Sequence, residues 1–263
     1  MRQFAVIVAV STLLLVIAGG LVTSNDAAQS VPDWPLSYGR LVPPLEGGIR
    51  FEFAHRMLAA AVAILTLILA LRSRSRLAWI ALAAVAAQAL LGGGVVRLWG
   101  PKWMPLAHAC LAQLCFGLIV AQAFLPVSSS FILRPLPLLA AAALFLQTIL
   151  GAAVRHNLSS VAPHIAGAVL ATLIVMWAGV QVLMDHMENP PFRRSAMLLL
   201  SLTFSQVFLG MGAYFSRIAA AGDPQPMPMM VSFTVAHVAV GSLAFGAAIA
   251  MAIIVGHGGM AVA

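Results

Sequence analysis

Eight runs of predominantly apolar residues divide the chain, at about 4–22, 50–71, 77–96, 104–125, 136–154, 161–183, 195–215 and 230–255. Each is close to the roughly 20 residues an α-helix needs to cross a bilayer core of about 30 Å. The polar breaks between them are short, with one exception. Residues 23–49 form a long connection containing Pro32, Asp33, Trp34, Pro35, Tyr38, Gly39, Pro43 and Pro44. Proline and glycine stop a helix there, while Trp34 and Tyr38 suit the headgroup level. The pattern predicts an all-α integral membrane protein of eight transmembrane helices, with an ordered loop over one membrane face. The first run is long for the apolar region of a signal peptide, and Ala18-Gly19-Gly20 continues it without a clear cleavage site, so a retained first span is expected.

The odd-numbered runs carry a repeat. Gln88-Ala89-Leu90-Leu91-Gly92, Gln147-Thr148-Ile149-Leu150-Gly151 and Gln206-Val207-Phe208-Leu209-Gly210 recur at intervals of 59 residues. Each leads through small residues and an arginine into a histidine-bearing span. The first run ends similarly, in Gly19-Gly20-Leu21-Val22-Thr23, but lacks the glutamine. One hairpin is therefore used four times, and two pairs of hairpins predict two pseudo-symmetric four-helix bundles, residues 1–125 and 126–263. Their parallel orientation implies an axis along the membrane normal. Small residues allow close helix approach, and buried glutamine amides require partners on neighbouring helices.

Composition sharpens this picture. The chain is 62% hydrophobic and 8% charged, against about 25% charged residues in a soluble domain. Eight spans leave no length for a soluble domain. The net charge of +7 is scattered over loops and helix ends, so no nucleic-acid partner is indicated. Arg2, Arg72, Arg74, Arg76, Arg134, Arg193 and Arg194 fall on the side of the N-terminus; Arg40, Arg50, Arg97, Lys102, Arg155 and Arg217 fall on the other. The tight Arg72–Arg76 cluster favours a cytoplasmic N-terminus. Cys110 and Cys115, five residues apart on one helix, point to different faces and read as packing residues.

The candidate chemistry is a set of four histidines. His55, His108, His164 and His237 stand near the starts of the second, fourth, sixth and eighth runs, which brings all four to the same half of the membrane. Ionisable groups at that depth are costly unless they are paired or functional. Without a cysteine or carboxylate beside each pair, zinc is disfavoured, and the pattern predicts two bis-histidine haem sites: His55 with His108, and His164 with His237. By its position in the run, His237 is expected a turn or two deeper than His164. Arg155 suits a haem propionate; snorkelling to lipid phosphate is its alternative. Glu52 has three readings: an ion pair with Arg56 at i+4, a carboxylate orienting an imidazole, or a catalytic carboxylate that takes up a proton or stabilises positive charge. His156 is either a loop residue or part of a lid over the second site. Met227, Met229 and Met230 read as apolar anchors of a loop.

These motifs resemble the haem A synthase family along essentially the whole chain. The resemblance is carried by Gly19-Gly20-Leu21-Val22-Thr23, Pro32-Asp33-Trp34-Pro35-Leu36, Glu52-Phe53-Ala54-His55-Arg56, Ala107-His108-Ala109-Cys110-Leu111-Ala112-Gln113 and Val154-Arg155-His156. It implies an enzyme that oxidises the C8 methyl group of haem O to a formyl group, giving haem A for terminal oxidase assembly in a bacterial cell membrane. By the same resemblance, His55 and His108, with Arg56 beside them, would hold the substrate haem in the N-terminal half. His164 and His237 would ligate a resident haem b in the C-terminal half, and Glu52 would match the essential glutamate. Haem O synthase and the terminal oxidase are the implied protein partners, together with membrane lipid and an electron acceptor the sequence does not specify. The sequence resembles a short bacterial-type member lacking the first-loop cysteine pair: where many members carry cysteines, it reads Val31 and Ser37, and the connection between the fifth and sixth runs is short. A dihaem b-type electron carrier or a non-catalytic haem-binding assembly factor is the alternative; a carrier would normally place its haems on opposite sides of the membrane.

Overall fold

A computed structural model describes residues 1–98, 101–125 and 134–257. Among them are eight helices: α1 (Arg2–Ser24), α2 (Ile49–Ser73), α3 (Arg76–Leu98), α4 (Trp103–Phe124), α5 (Pro135–Arg155), α6 (Val161–His186), α7 (Pro190–Ala219) and α8 (Pro228–Gly256). All eight are long and apolar enough to cross a membrane, and the chain is a multi-pass membrane protein. Proline at the first helical turn starts α5, α7 and α8, where its missing N–H costs nothing. The α7 helix extends several residues beyond the apolar run at both ends, because Arg193, Arg194 and Arg217 lower the hydropathy of turns that remain helical. At 1.5 Å per residue its 30 residues reach about 45 Å, well past the apolar core.

The helices associate as expected from the repeat. Consecutive helices pack within each half, and α1 on α4 and α5 on α8 close the two four-helix clusters. The clusters are then joined by α8 against α1 and α4, and by α4 against α5. The central role falls to α8: 67% of its apolar window is buried, against at most 39% for any other helix. Its apolar side chains are distributed around the whole helix, as one largely surrounded by protein requires. At the α4–α8 crossing two glycines act reciprocally. A Cβ on Gly117 would stand 2.9 Å from Phe245, and one on Gly246 would stand 3.0 Å from Phe116. Gln113 Nε2 donates to Ser242 Oγ across the same crossing at 2.9 Å, a polar tie between the halves in an otherwise apolar contact.

Close packing is unevenly distributed along the membrane normal. One cluster of fully buried residues gathers Phe116, Leu144, Val175, Leu199, Phe245 and Met251, and a second gathers Val8, Leu69, Ala78, Ala81 and Ile119. Both occupy the half of the molecule nearer the two termini. The opposite half, where the even-numbered helices begin, carries the histidines.

Candidate functional site

The structure brings the four histidines together in the pairs expected. The ring centres of His55 and His108 lie 6.4 Å apart with planes at 73°, and those of His164 and His237 lie 6.2 Å apart at 87°. The later position of His237 in its helix does not keep the two rings apart. His237 stands nine residues into α8 and His164 only three into α6, but the long α7–α8 hairpin begins its last helix farther from the core, so the two rings meet across the bundle.

Each imidazole is seated on a glycine of the preceding odd-numbered helix. A Cβ on Gly19 would lie 3.2 Å from His55 Cε1; on Gly92, 2.8 Å from His108 Cε1; on Gly151 and Gly210, 3.0 Å from the Cε1 atoms of His164 and His237. In all four cases the Cε1–Nδ1 edge is nearest the glycine and Nε2 is farther away. The rings also lie within electrostatic reach of the backbone carbonyl one turn earlier, that of Leu15, Gln88, Gln147 or Gln206. Nδ1 of His55, His108 and His237 is buried and makes no hydrogen bond among the described residues. A proton on Nδ1 leaves the Nε2 lone pair of an imidazole free for a metal.

The repeated glutamines form the next layer. Gln88 Nε2 donates to the His108 carbonyl at 2.9 Å, Gln147 Nε2 to the His164 carbonyl at 2.8 Å, and Gln206 Nε2 to the His237 carbonyl at 2.7 Å. Gln147 Nε2 additionally lies 3.0 Å from His164 Nδ1. Glycines on the facing helices make room: a Cβ on Gly167 would stand 2.6 Å from Gln147 Oε1, and one on Gly241 would stand 3.5 Å from Gln206 Oε1. Sequence reading identified the repeat but not its purpose, because the glycine and the histidine it seats are 13 to 36 positions apart, as in Gly151 with His164 and Gly19 with His55.

The donor set fits haem. Two metal–imidazole bonds of about 2 Å, each continued by about 1 Å to a ring centre, span roughly 6 Å, the separation found in both pairs. All four imidazoles are only half-buried despite facing one another within the bundles. Among the described residues no group of three or more His, Cys, Asp or Glu side chains converges on one point. Two axial nitrogens suit an iron whose other four ligands come from a macrocycle, and suit a bare metal ion poorly.

Glu52 and Arg56 organise the long loop. The Glu52 carboxylate is 3% exposed. One oxygen accepts from the Val31 amide at 2.9 Å, and the other pairs with Arg56 Nη2 at 2.6 Å. Arg56 Nη1 donates to the carbonyls of Asp33 and Leu36 at 2.8 and 2.9 Å and to Ser37 Oγ at 3.4 Å; Nη2 reaches the Val31 carbonyl at 3.4 Å. The ion pair of the sequence reading is therefore present, extended into a clasp on both Val31 and Ser37. Trp34, read from the sequence as a headgroup-level residue, packs on α3: a Cβ on Gly93 would stand 2.8 Å from its indole. Gly93 adjoins Gly92, the seat of His108. Arg155 Nη2 donates to the Gly20 carbonyl at 2.7 Å and to Ser24 Oγ at 2.8 Å, tying the end of α5 to the end of α1. Next to it, burial and the Arg155 charge hold the His156 imidazole below its ordinary pKa. Cys110 and Cys115 are both free thiols, and Cys115 is buried.

The loop has its own acid sensitivity. Asp33 accepts from the amides of Gly39 at 2.8 Å and Tyr38 at 2.6 Å, and these bonds, the Gly39 one foremost, hold its carboxyl below the usual range. A depressed folded pKa stabilises above the unfolded value and is lost as pH falls through the folded one. Protection of the Tyr38 and Gly39 amides, corrected for intrinsic exchange, is expected to be constant near neutrality and to fall only below the ordinary carboxylate range. Asp33→Asn should remove that acid dependence.

Comparison with known proteins points the same way as the geometry. The chain is 33% identical over 145 residues to the haem A synthase of Methylobacterium sp. (strain 4-46), covering 47% of this chain and 40% of that one. It is 36% identical over 138 residues to the haem A synthase of Azorhizobium caulinodans, covering 45% and 38%. It is 30% identical over 133 residues to that of Shouchella clausii (strain KSM-K16), covering 46% and 44%. Each match spans less than half of this chain and of the relative. No protein-family model matches the chain. The similarity to haem A synthases is at family level.

Proposed function

We propose that the protein is a haem A synthase, a haem-dependent membrane oxidoreductase that converts the C8 methyl group of haem O to a formyl group. The observation that carries this reading is the pair of facing imidazole couples, at 6.4 and 6.2 Å, in two bundles at one membrane level. Similarity to haem A synthases supports it. In this reading residues 1–125 hold the substrate haem through His55 and His108, and residues 126–263 hold a resident haem b through His164 and His237. When bound, the resident haem would supply one-electron redox chemistry; the methyl carbon would gain an oxygen atom from water and lose four electrons in two two-electron stages, alcohol then aldehyde, the electrons passing to an acceptor outside the protein.

The chain's own residues then have distinct tasks. The four imidazoles bind and orient the two haems. Arg56 acts on the substrate through the loop, which its guanidinium holds in place together with Trp34 on Gly93. Glu52 supplies a buried negative charge beside His55, suited to stabilising positive charge at an oxidised carbon or to taking up a proton. Arg155 holds the two halves in register at the haem level and stands where a propionate would be met. The protein would sit in a bacterial inner membrane with its N-terminus cytoplasmic and both sites toward the outer face, receiving substrate from haem O synthase and delivering product to terminal oxidase assembly.

The test is expression with haem O supply, followed by extraction and chromatography of the haems. Accumulation of haem A or its alcohol precursor is the expected result. Bound haem b with unchanged haem O would favour the electron carrier or assembly factor, a second reading supported by the full engagement of both Glu52 oxygens in holding the loop.

A further inference from the structure

We propose that the four imidazoles are not equivalent: His55 is the exchangeable ligand of the first pair, and Leu15 is the residue that leaves it so. The inference rests on the dihaem reading above and distinguishes the two halves by structure alone. In three hairpins the residue one turn before the seating glycine is a glutamine, and its amide ties the odd-numbered helix to the histidine carbonyl of the even-numbered one. In the first hairpin the same position is Leu15. Leu15 is half-buried, as are Gln88, Gln147 and Gln206, so it occupies the place of the clasp and cannot donate. No side-chain hydrogen bond joins α1 to α2 at His55 among the described residues.

The seat differs in the same sense. The clearance at Gly19 is 3.2 Å, against 2.8 Å at Gly92 and 3.0 Å at Gly151 and Gly210. His55 thus has slightly more room over its glycine, and its backbone carbonyl lacks the glutamine tie made to the carbonyls of the other three histidines. Two tethered ligands suit a haem that stays. One tethered and one untethered ligand suit a haem that must enter and leave, since the turn of α2 that carries His55 can shift against α1 while the turn carrying His108 is held by Gln88. Gln88, Gln147 and Gln206 are on this view positioning residues, and their pattern assigns the exchanging site to the N-terminal half.

The test uses the full-length protein, saturated with ferric haem b as the probe and mixed with excess apomyoglobin. Two phases of haem transfer are expected, and His237→Ala, which removes a ligand of the second pair, should retain the fast one. Leu15→Gln should slow the fast phase about threefold to tenfold, the effect of one interhelical hydrogen bond in a membrane protein, whereas Leu15→Met should leave it unchanged. As an independent arm, Gln147→Leu should accelerate the slow phase by a similar factor. Two bound haems with a fast phase unaltered by Leu15→Gln, or a fast phase belonging to the C-terminal half, would overturn the proposal while leaving the dihaem reading intact. A folded chain that takes up no haem would end both.

Discussion

Substituting valine for Gly92 is expected to lower the haem content of the saturated protein from two per chain to one. Even the first added carbon would stand 2.8 Å from His108 Cε1, inside any real carbon–carbon contact, and the branch methyls would reach farther into the ring. The backbone of α3 cannot retreat, because Trp34 lies against the adjoining Gly93. The imidazole must therefore leave its position, and a ligand displaced by about 1 Å no longer meets its metal. Overpacking of this kind costs about 1–3 kcal/mol in a fold that otherwise survives, so the protein should still be made and should keep the haem of the other half. Gly151→Val or Gly210→Val should remove the other haem instead, with clearances of 3.0 Å at both. Gly19→Ala, at 3.2 Å, should be tolerated. Haem per chain, by pyridine haemochrome against protein concentration, reads all four. A Gly92→Val protein binding two haems would show that the glycines are mere packing residues.

Glu52→Gln is expected to reduce haem O oxidation by about a hundredfold or more, the usual scale for loss of a positioned proton-transferring or charge-stabilising carboxylate, with both haems retained. The substitution preserves size and leaves one oxygen to accept from the Val31 amide, as the carboxylate does at 2.9 Å. It removes the charge opposite Arg56, whose guanidinium nevertheless keeps the carbonyls of Asp33 and Leu36. The loop should therefore stay closed while the chemistry fails. Arg56→Met makes the complementary measurement. It leaves a buried carboxylate unpaired, a change worth about 3–5 kcal/mol, and it releases the loop, so proteolysis at the exposed Arg40 should accelerate as activity falls. If Glu52→Gln kept its activity and its loop protection, Glu52 would be a loop anchor and no more.

The two substitutions test different layers of the protein, and those layers were unequally visible in the sequence. Eight helices, four hairpins and the pairing of His55 with His108 and His164 with His237 were all legible beforehand. Transmembrane helices need long apolar runs, and the odd–even alternation brings every even-numbered start to one side. The ends of α7 were not, because hydropathy weakens at arginine-bearing turns that backbone hydrogen bonding keeps helical. The packing of Trp34 on α3 was not legible either, since nothing local reveals a bare glycine surface at Gly93, some sixty positions away in the chain.

By itself, the sequence determined what the bilayer imposes: helices of a given length, a repeat, and ionisable groups rare enough in apolar runs to stand out. Only the tertiary structure decided what the repeat is for. Gly19, Gly92, Gly151 and Gly210 receive imidazoles, the glutamines clasp histidine carbonyls, Leu15 clasps nothing, and Arg155 crosses to α1 rather than standing free. Those outcomes depend on which helix faces meet at close range, and a one-dimensional pattern records the period of a helix but not the identity of its neighbour.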